Sequence, residues 1–581
     1  MIRKLVRQML TAQVFSALTV SLCLLIDNVM IGRFLGEEAI AAYGFANPVL
    51  LAIGALGSLL SAGIQVACGK SLGKGSQEET NCGYSSAVAV AGVVSVLFAA
   101  AVLIFSPLLA HALGGGTRGK LFEMTRDYLR GFSVGAPATM GALVLVPFLQ
   151  MAGKNRLLIT AVLCMTVSDV ALDLVSIACD GGMLGMGLAS AGSYYIAVGV
   201  SLVYFLSKKC VFRFSFGRVT LRKIIELFRS GIPAGFTMGS AMILVFLLNR
   251  ILRFADGGGS NAVAAYAVIS TIGNAAYCIS TGIGGTSLTL GGILYHEEDR
   301  SGLRELVRLM CRYSVLLGLV MGVLLLIFAP PLIRLFIPNA GATQKMATLG
   351  LRIFAAGLIP CCVNNALKNI YQATGRVALT EILSLLEGAA LPALAAFAVS
   401  RFLGADGVWF YSVAGELLTL LGIGLYIRLR TSRLPWQEGA CLMLKPDFGA
   451  APDDLLELQI TKMQDVADAA QRAETFCLEH GQSTRLASHI ALCVEEMAGN
   501  TIQYGFVKDG KQHHLAVRIL YKAGQWVLRF RDDCGAFDPI HYVPGSEQDH
   551  VGIRLAMALS EEATYTYSLS LNNLMLKLRA E

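Results

Sequence analysis

The chain has 581 residues, 55% of them apolar and 15% charged, with a mean hydropathy of +0.61 and a formal net charge of +7. A soluble chain carries about a quarter charged residues, so these figures exclude a wholly soluble protein, and with it a disordered, collagen-like or coiled-coil chain. The average conceals a split: residues 454–581 hold 17 acids and 12 bases, net −5, whereas the first 453 residues hold 35 bases and 23 acids, net +12.

Apolar runs of membrane-spanning length recur between polar breaks. They fall near 11–32, 45–68, 86–112, 128–150, 157–179, 185–206, 231–252, 262–290, 314–336, 348–372, 378–399 and 405–427. The pattern predicts twelve helical spans. The first follows the basic stretch MIRKLVR, yet it is too long for a secretory leader, lacks a small-residue cleavage pattern and contains Asp27. Arg3, Lys4 and Arg7 precede span 1, seven bases from Lys208 to Arg229 follow span 6, four arginines from Arg300 to Arg312 follow span 8, and Arg428, Arg430 and Arg433 follow span 12. Positive charge marks the cytoplasmic side, which predicts a multi-pass plasma-membrane protein with both termini in the cytoplasm.

The chain also repeats itself. Leu129-Arg130, Phe132, Gly135, Gln150 and Gly153 recur 222 residues later as Leu351-Arg352, Phe354, Gly357, Gln372 and Gly375. Six spans per repeat keep both halves in the same orientation, a parallel repeat that suits alternating access between two rocking bundles. The expected division is an N-lobe over 1–220, a C-lobe over 221–430, a proline-containing linker over 431–453 and a soluble domain over 454–581.

A carboxylate at membrane depth costs at least a few kcal/mol, so each one calls for a reason. Asp27 lies in span 1, and Asp169 and Asp173 lie in span 5 at i, i+4, on one helix face. Two carboxylates so close in low dielectric should share a proton, which makes a candidate proton or sodium site. The alternative is a buried hydrogen bond that locks the bundle. In the second half, Lys368 in span 10 can neutralise one of Glu381, Glu387 and Glu416 as a structural ion pair.

Over about residues 5–430 the chain resembles the MATE family of multidrug and toxic-compound exporters. The resemblance is carried by LLIDNVMIGRFLG with AIAAYGFANP behind it, SAGIQVACGKSLGKGSQEE, FLQMAGKNR, SDVALDLVSI, GIPAGF and YQATGR, in that order. It implies a cation-coupled (H⁺ or Na⁺) antiporter of small organic, cationic compounds, with Asp27, Asp169 and Asp173 as the ion-coupling set. Asp169 stands where the family usually has Asn. Span 1 lacks the proline many members carry, and the acid some members carry in span 7 falls near Ala241, so no C-lobe sodium site of that type is expected.

Beyond the linker the pattern turns to mixed α/β. LLELQI, HLAVRILY, QWVLRFRD, TYTYSL and LMLKLR read as strands, and Asp465–His480, Ser483–Tyr504 and Val551–Glu561 as helices, an α+β two-layer sandwich. In ALCVEEMAGNTIQYG, Glu496 and Asn500 share a helix face, and an Asn carbonyl with a Glu one turn earlier suits Mg²⁺ and proton transfer. In RDDCGAFDP, Asp533 can accept from an exocyclic amine while Gly535 lets the chain approach. In HVGIRLAMAL, Gly552 opens a helix whose free N–H groups can hold phosphate. Together these resemble the GHKL ATP-binding fold, the anti-sigma-factor serine-kinase branch in particular. The resemblance implies Glu496 as general base, Asn500 as Mg²⁺ ligand, Asp533 as adenine reader and Gly552 as a phosphate-loop glycine. Phe537 replaces the second glycine of the DxGxG pattern and His550 stands where another glycine is common. Those departures point to ATP binding rather than rapid hydrolysis.

The leading expectation is an exporter with a cytoplasmic ATP-binding regulatory domain. Weak ATPase or serine/threonine kinase activity and a cytoplasmic protein partner accompany the domain's resemblance. The alternatives are a receptor-like signalling protein with an anti-sigma-type kinase domain and a flippase of a lipid-linked precursor. No nucleic-acid partner is expected. The fourteen cysteines show no CxxC pair and no metal-ligand spacing, so neither a disulfide framework nor a zinc site is expected.

Overall fold

The computed structural model describes all residues except 1, 116–118, 209, 338–340, 438, 446–447, 508–511, 523, 543–550 and 581. His550 therefore lies outside the described residues. The first half is built from α1 (Ile2–Leu35), α2 (Glu37–Gly73), α3 (Gln77–Ala110), α4 (Lys120–Val134), α5 (Ala136–Met151), α6 (Asn155–Ala178) and α7 (Gly182–Phe205). The second comprises α8 (Leu221–Phe254), α9 (Ser260–Ala276), α10 (Cys278–His296), α11 (Arg300–Phe336), α12 (Ala342–Ala356), α13 (Leu358–Ala373), α14 (Val377–Leu385), α15 (Leu391–Val408) and α16 (Tyr411–Thr431).

Among the described residues, nine helices are long and apolar enough to cross a membrane, or twelve if each of three bent helix pairs is one span. Every one of the twelve expected apolar runs falls on one of these. The pairs α4–α5 and α12–α13 each bend by 47°. Their breaks lie at Gly135 and Gly357, the positions related by the 222-residue repeat. A proline at the start of each second helix, Pro137 and Pro360, removes a backbone donor at the bend. A π-helical turn over Leu386–Ala390 joins α14 to α15.

The start of α1 and the short turns after α2, α5, α10 and α13 lie on one face of the bundle, here the domain face, where each meets the sheet domain or the linker. On that half the two lobes touch backbone to backbone. A Cβ on Gly63 would lie 2.0 Å from the Leu227 carbonyl oxygen, and one on Gly231 would lie 2.0 Å from that of Leu59. Gly73 approaches the Ile293 carbonyl and Gly282 approaches Val14 in the same way. Small residues let helices approach this closely where lipid supplies no hydrophobic drive. The start of α1 (Leu5, Val6, Met9, Leu10) joins a core with α10, α11, α13 and α16. Toward the opposite face the cores separate: the cluster around Tyr266, Phe354 and Trp409 contains C-lobe residues alone. The cleft between the lobes is thus closed on the domain face.

Residues 455–579 form a five-stranded antiparallel sheet of order β1-β2-β3-β5-β4: β1 (Leu455–Ile460), β2 (Leu515–Lys522), β3 (Gln525–Asp532), β4 (Glu562–Ser568) and β5 (Leu571–Arg579). Alternation sets the faces. Val517, Trp526, Leu528, Phe530 and Leu576 pack against α17 (Gln464–Glu479), α18 (Thr484–Asn500) and α19 (Val551–Leu559). The opposite face carries Arg518, Arg529, Arg531 and Asn573, and it lies on the bundle.

That contact spans both lobes. On the C-lobe side, Arg531 Nη2 meets Glu297 Oε2 at 2.6 Å, Arg518 Nη1 meets Asp299 Oδ2 at 2.9 Å and Lys522 meets Glu298, all in the turn between α10 and α11. On the N-lobe side, the Leu569 N–H donates to the Met151 carbonyl at 2.6 Å and Ser570 Oγ donates to the Gly153 carbonyl at 3.1 Å. Lys4 at the start of α1 pairs with Asp533 at 2.9 Å. Described residues of the linker contact the C-lobe: Arg300 donates to the Phe448 carbonyl and Arg376 to that of Met443.

Candidate ion-coupling and nucleotide sites

Asp27 on α1 and Asp169 and Asp173 on α6 come together inside the N-lobe. All three are buried, Asp173 completely. Asp27 stands within hydrogen-bonding reach of both others. Among the described residues, neither oxygen of Asp173 has a donor, and Asp27 Oδ1 and Asp169 Oδ1 also lack one. Carboxylate oxygens only accept, so contacts among three such groups require a proton or a cation between them. A buried carboxyl without a donor is costly unless something supplies the missing charge.

The wall of this site holds residues the sequence reading did not single out. Cys23, one turn before Asp27, donates to Thr166 Oγ1 at 3.3 Å. Ser193 on α7 reaches Asp169, and Tyr128 and Tyr194 flank the acids. The signal was present as helical spacing: Cys23 precedes Asp27 by four and Thr166 precedes Asp169 by three.

In the C-lobe, Lys368 on α13 pairs with Glu387 at 2.9 Å, the ion pair expected for this lysine. Glu387 sits in the π-helical turn, a local break that turns its carboxyl toward α13. Glu416 on α16 accepts from Asn364 Nδ2 at 2.8 Å, and Cys361, Glu387 and Glu416 bring their ligand atoms within 4.8 Å of one another. Glu381 is not part of this cluster.

Between the lobes lies a cavity of about 520 Å³, walled by α1, α2 and α5 on one side and by α8, α9, α10, α13 and α14 on the other. The Asp27–Asp169–Asp173 set does not line it.

The C-terminal domain has a cavity of about 260 Å³ beside the end of α18. Asn500, Gly535 and Asp532 line it, with Met497, Ile553 and Leu574 supplying an apolar floor. Asn500 Nδ2 donates to the Glu496 carbonyl at 2.7 Å, and Gly552 is pressed so close to Glu496 that a Cβ would overlap its carboxylate. Glu496, Asn500 and Gly552 are thus neighbours. Asp533 is placed elsewhere: it is not on the cavity but on the bundle face, holding Lys4, His513 at 3.1 Å and the His514 N–H at 2.9 Å. Burial pushes the Asp533 carboxyl up, but the Lys4, His514 and His513 contacts outweigh it and hold it below the usual aspartate range. The acid on the cavity is Asp532, raised by burial against hydrogen bonds from Asn572 and the Cys534 N–H. Both of those bonds go to Oδ1, and the Cys534 side chain also reaches the Asp532 carboxyl.

The MatE family model matches residues 13–175 and 233–387. The probable multidrug resistance protein YoeA of Bacillus subtilis (strain 168) is 23% identical over 424 residues, covering 69% of this chain and 88% of that protein. The multidrug export protein MepA of Staphylococcus aureus (strain N315) is 23% identical over 411 residues, covering 70% and 88%. A crystal structure of MATE in complex with MaL6 superposes with a TM-score of 0.69 at 20% identity, covering 74% of this chain and 96% of that one. The sheet domain lies outside the segments the family model matches.

Proposed function

The chain belongs to the MatE family, and from that footing we propose that it is a cation-coupled exporter of organic compounds, with its termini and sheet domain in the cytoplasm. The observation that carries the coupling is the fully buried Asp173 carboxyl, without a donor among the described residues, beside Asp27 and Asp169. Such a site needs a proton or sodium ion when the lobes are in this arrangement. Release of that ion changes the charge of the N-lobe interior and so the balance between the two states of the cleft. The similarity to the multidrug export protein MepA supports outward movement of the substrate. The experiment is efflux from proteoliposomes with an imposed proton or sodium gradient. One of the two gradients should drive efflux above the rate without a gradient, and equal rates in all three conditions would remove the coupling.

The sheet domain is the regulatory part of this reading, a nucleotide-binding module that biases the lobes. Its cavity offers the Asp532 carboxyl to an exocyclic amine and Asn500 to Mg²⁺, and the start of α19 at Gly552, next to Ile553 on the cavity floor, would meet phosphate; ATP with Mg²⁺ would supply charge and bulk beside α18. Asp532 and Arg531 are adjacent on β3, so a ligand held by one acts on the strand that grips Glu297 through the other. Asn500→Ala in the full-length protein should lower Mg-ATP affinity by about tenfold or more, measured by calorimetry, and wild-type affinity in that variant would remove the Mg²⁺ assignment.

A further inference from the structure

The chemistry of the inter-lobe cavity is specific. Six carboxamides line it: Gln13, Gln65, Asn274, Asn365, Asn369 and Gln372. Among the described lining residues there is no carboxylate and no aromatic ring, and the single charged group is Lys368. Proteins hold organic cations with carboxylates and with aromatic faces, and this wall offers neither. Gln65 is buried and its Oε1 has no donor among the described residues, so it asks a substrate for a hydrogen-bond donor. Lys368 spends one contact on Glu387, and an ammonium has three N–H donors. Glu387 and Glu416 stand behind Lys368 and do not line the cavity, so of this cluster Lys368 is the member on its wall.

Resting on the exporter reading, we infer that the cavity takes a hydroxylated organic carboxylate, not the cationic compound expected from the family resemblance. The carboxylate seats at Lys368, its hydroxyls donate to Gln65 and neighbouring amide oxygens, and amide N–H groups donate back. The cavity volume of about 520 Å³ falls in the range of small-molecule sites, about 300–1,000 Å³.

The test uses the full-length protein and a fixed panel: gluconate, glucuronate and citrate against tetraethylammonium and ethidium. Binding is read by thermal shift and movement by counterflow in proteoliposomes. At least one hydroxy acid should bind and exchange, and neither cation should. Lys368→Gln should weaken acid binding about tenfold or more, and Lys368→Arg should retain it. Gln65→Leu leaves the Lys368–Glu387 pair intact and should also weaken the acid, which keeps the inference testable if Lys368→Gln does not fold. Binding of a cation with no acid bound, binding of neither class, or equal acid affinity in wild type and Gln65→Leu would each overturn it. Acid binding and exchange that ignore both ion gradients would instead count against coupling and leave the substrate class standing.

Discussion

Asp173→Asn should sharply weaken the response of efflux to an imposed ion gradient while the protein remains folded and inserted. The side chains are nearly isosteric, and the amide brings two donors to a place where Asp27 and Asp169 both offer acceptors. The variant therefore fixes the site in the form it takes when a proton is held, and the site no longer cycles. Coupling energies of about 1–3 kcal/mol correspond to factors of about 5 to 150, and the gradient-driven component should fall by a factor in that range. Asp180→Asn is the control: Asp180 is exposed, with φ of 52°, a conformation Asn adopts readily, and its gradient response should match wild type. Undiminished gradient dependence in Asp173→Asn would move the coupling site elsewhere, with the Glu387–Glu416 cluster next in line.

The second large effect concerns closure of the cleft. Gly231→Ala places a methyl 2.0 Å from the Leu59 carbonyl oxygen, so α2 and α8 must separate or shift along each other. Gly239, two turns further along α8, has nothing within 4 Å of the corresponding position. Overpacking a side chain against side chains costs about 1–3 kcal/mol, and here the obstacle is backbone, which yields less. Gly231→Ala should therefore lower the unfolding temperature of the purified protein and cut transport at least tenfold, whereas Gly239→Ala should change neither. Matching behaviour of the two variants would mean that the close approach is not formed.

Much of this was legible beforehand. Runs of about 20 apolar residues announce spans because lipid offers the backbone no other partner, and Asp27, Asp169 and Asp173 stood out because charge is rare in such runs. The bends at Gly135 and Gly357 were not legible, since hydropathy is blind to direction within a run. The choice between Asp532 and Asp533 could have been made from the sequence. Trp526, Leu528 and Phe530 alternate onto the helix-covered face, and the same parity carries Asp532 to the cavity and Asp533 to the other side. The docking of the sheet had no local signal. Nothing in the strands marks Arg518 and Arg531 as buried, and the acids that hold them, Glu297 and Asp299, lie more than 200 residues earlier in the chain.

The sheet holds Met151 and Gly153 of one lobe and Glu297 to Asp299 of the other. The lobes cannot rock apart at this face with every one of these contacts intact, and Arg531–Glu297 and Arg518–Asp299 are largely shielded from water. Linkage between two sites is symmetric. If a ligand in the sheet domain favours one arrangement of the lobes, then the arrangement imposed by substrate and ion favours or disfavours that ligand by the same factor. The domain would then be as much a gauge as a brake: its occupancy would follow how far the transport cycle is driven.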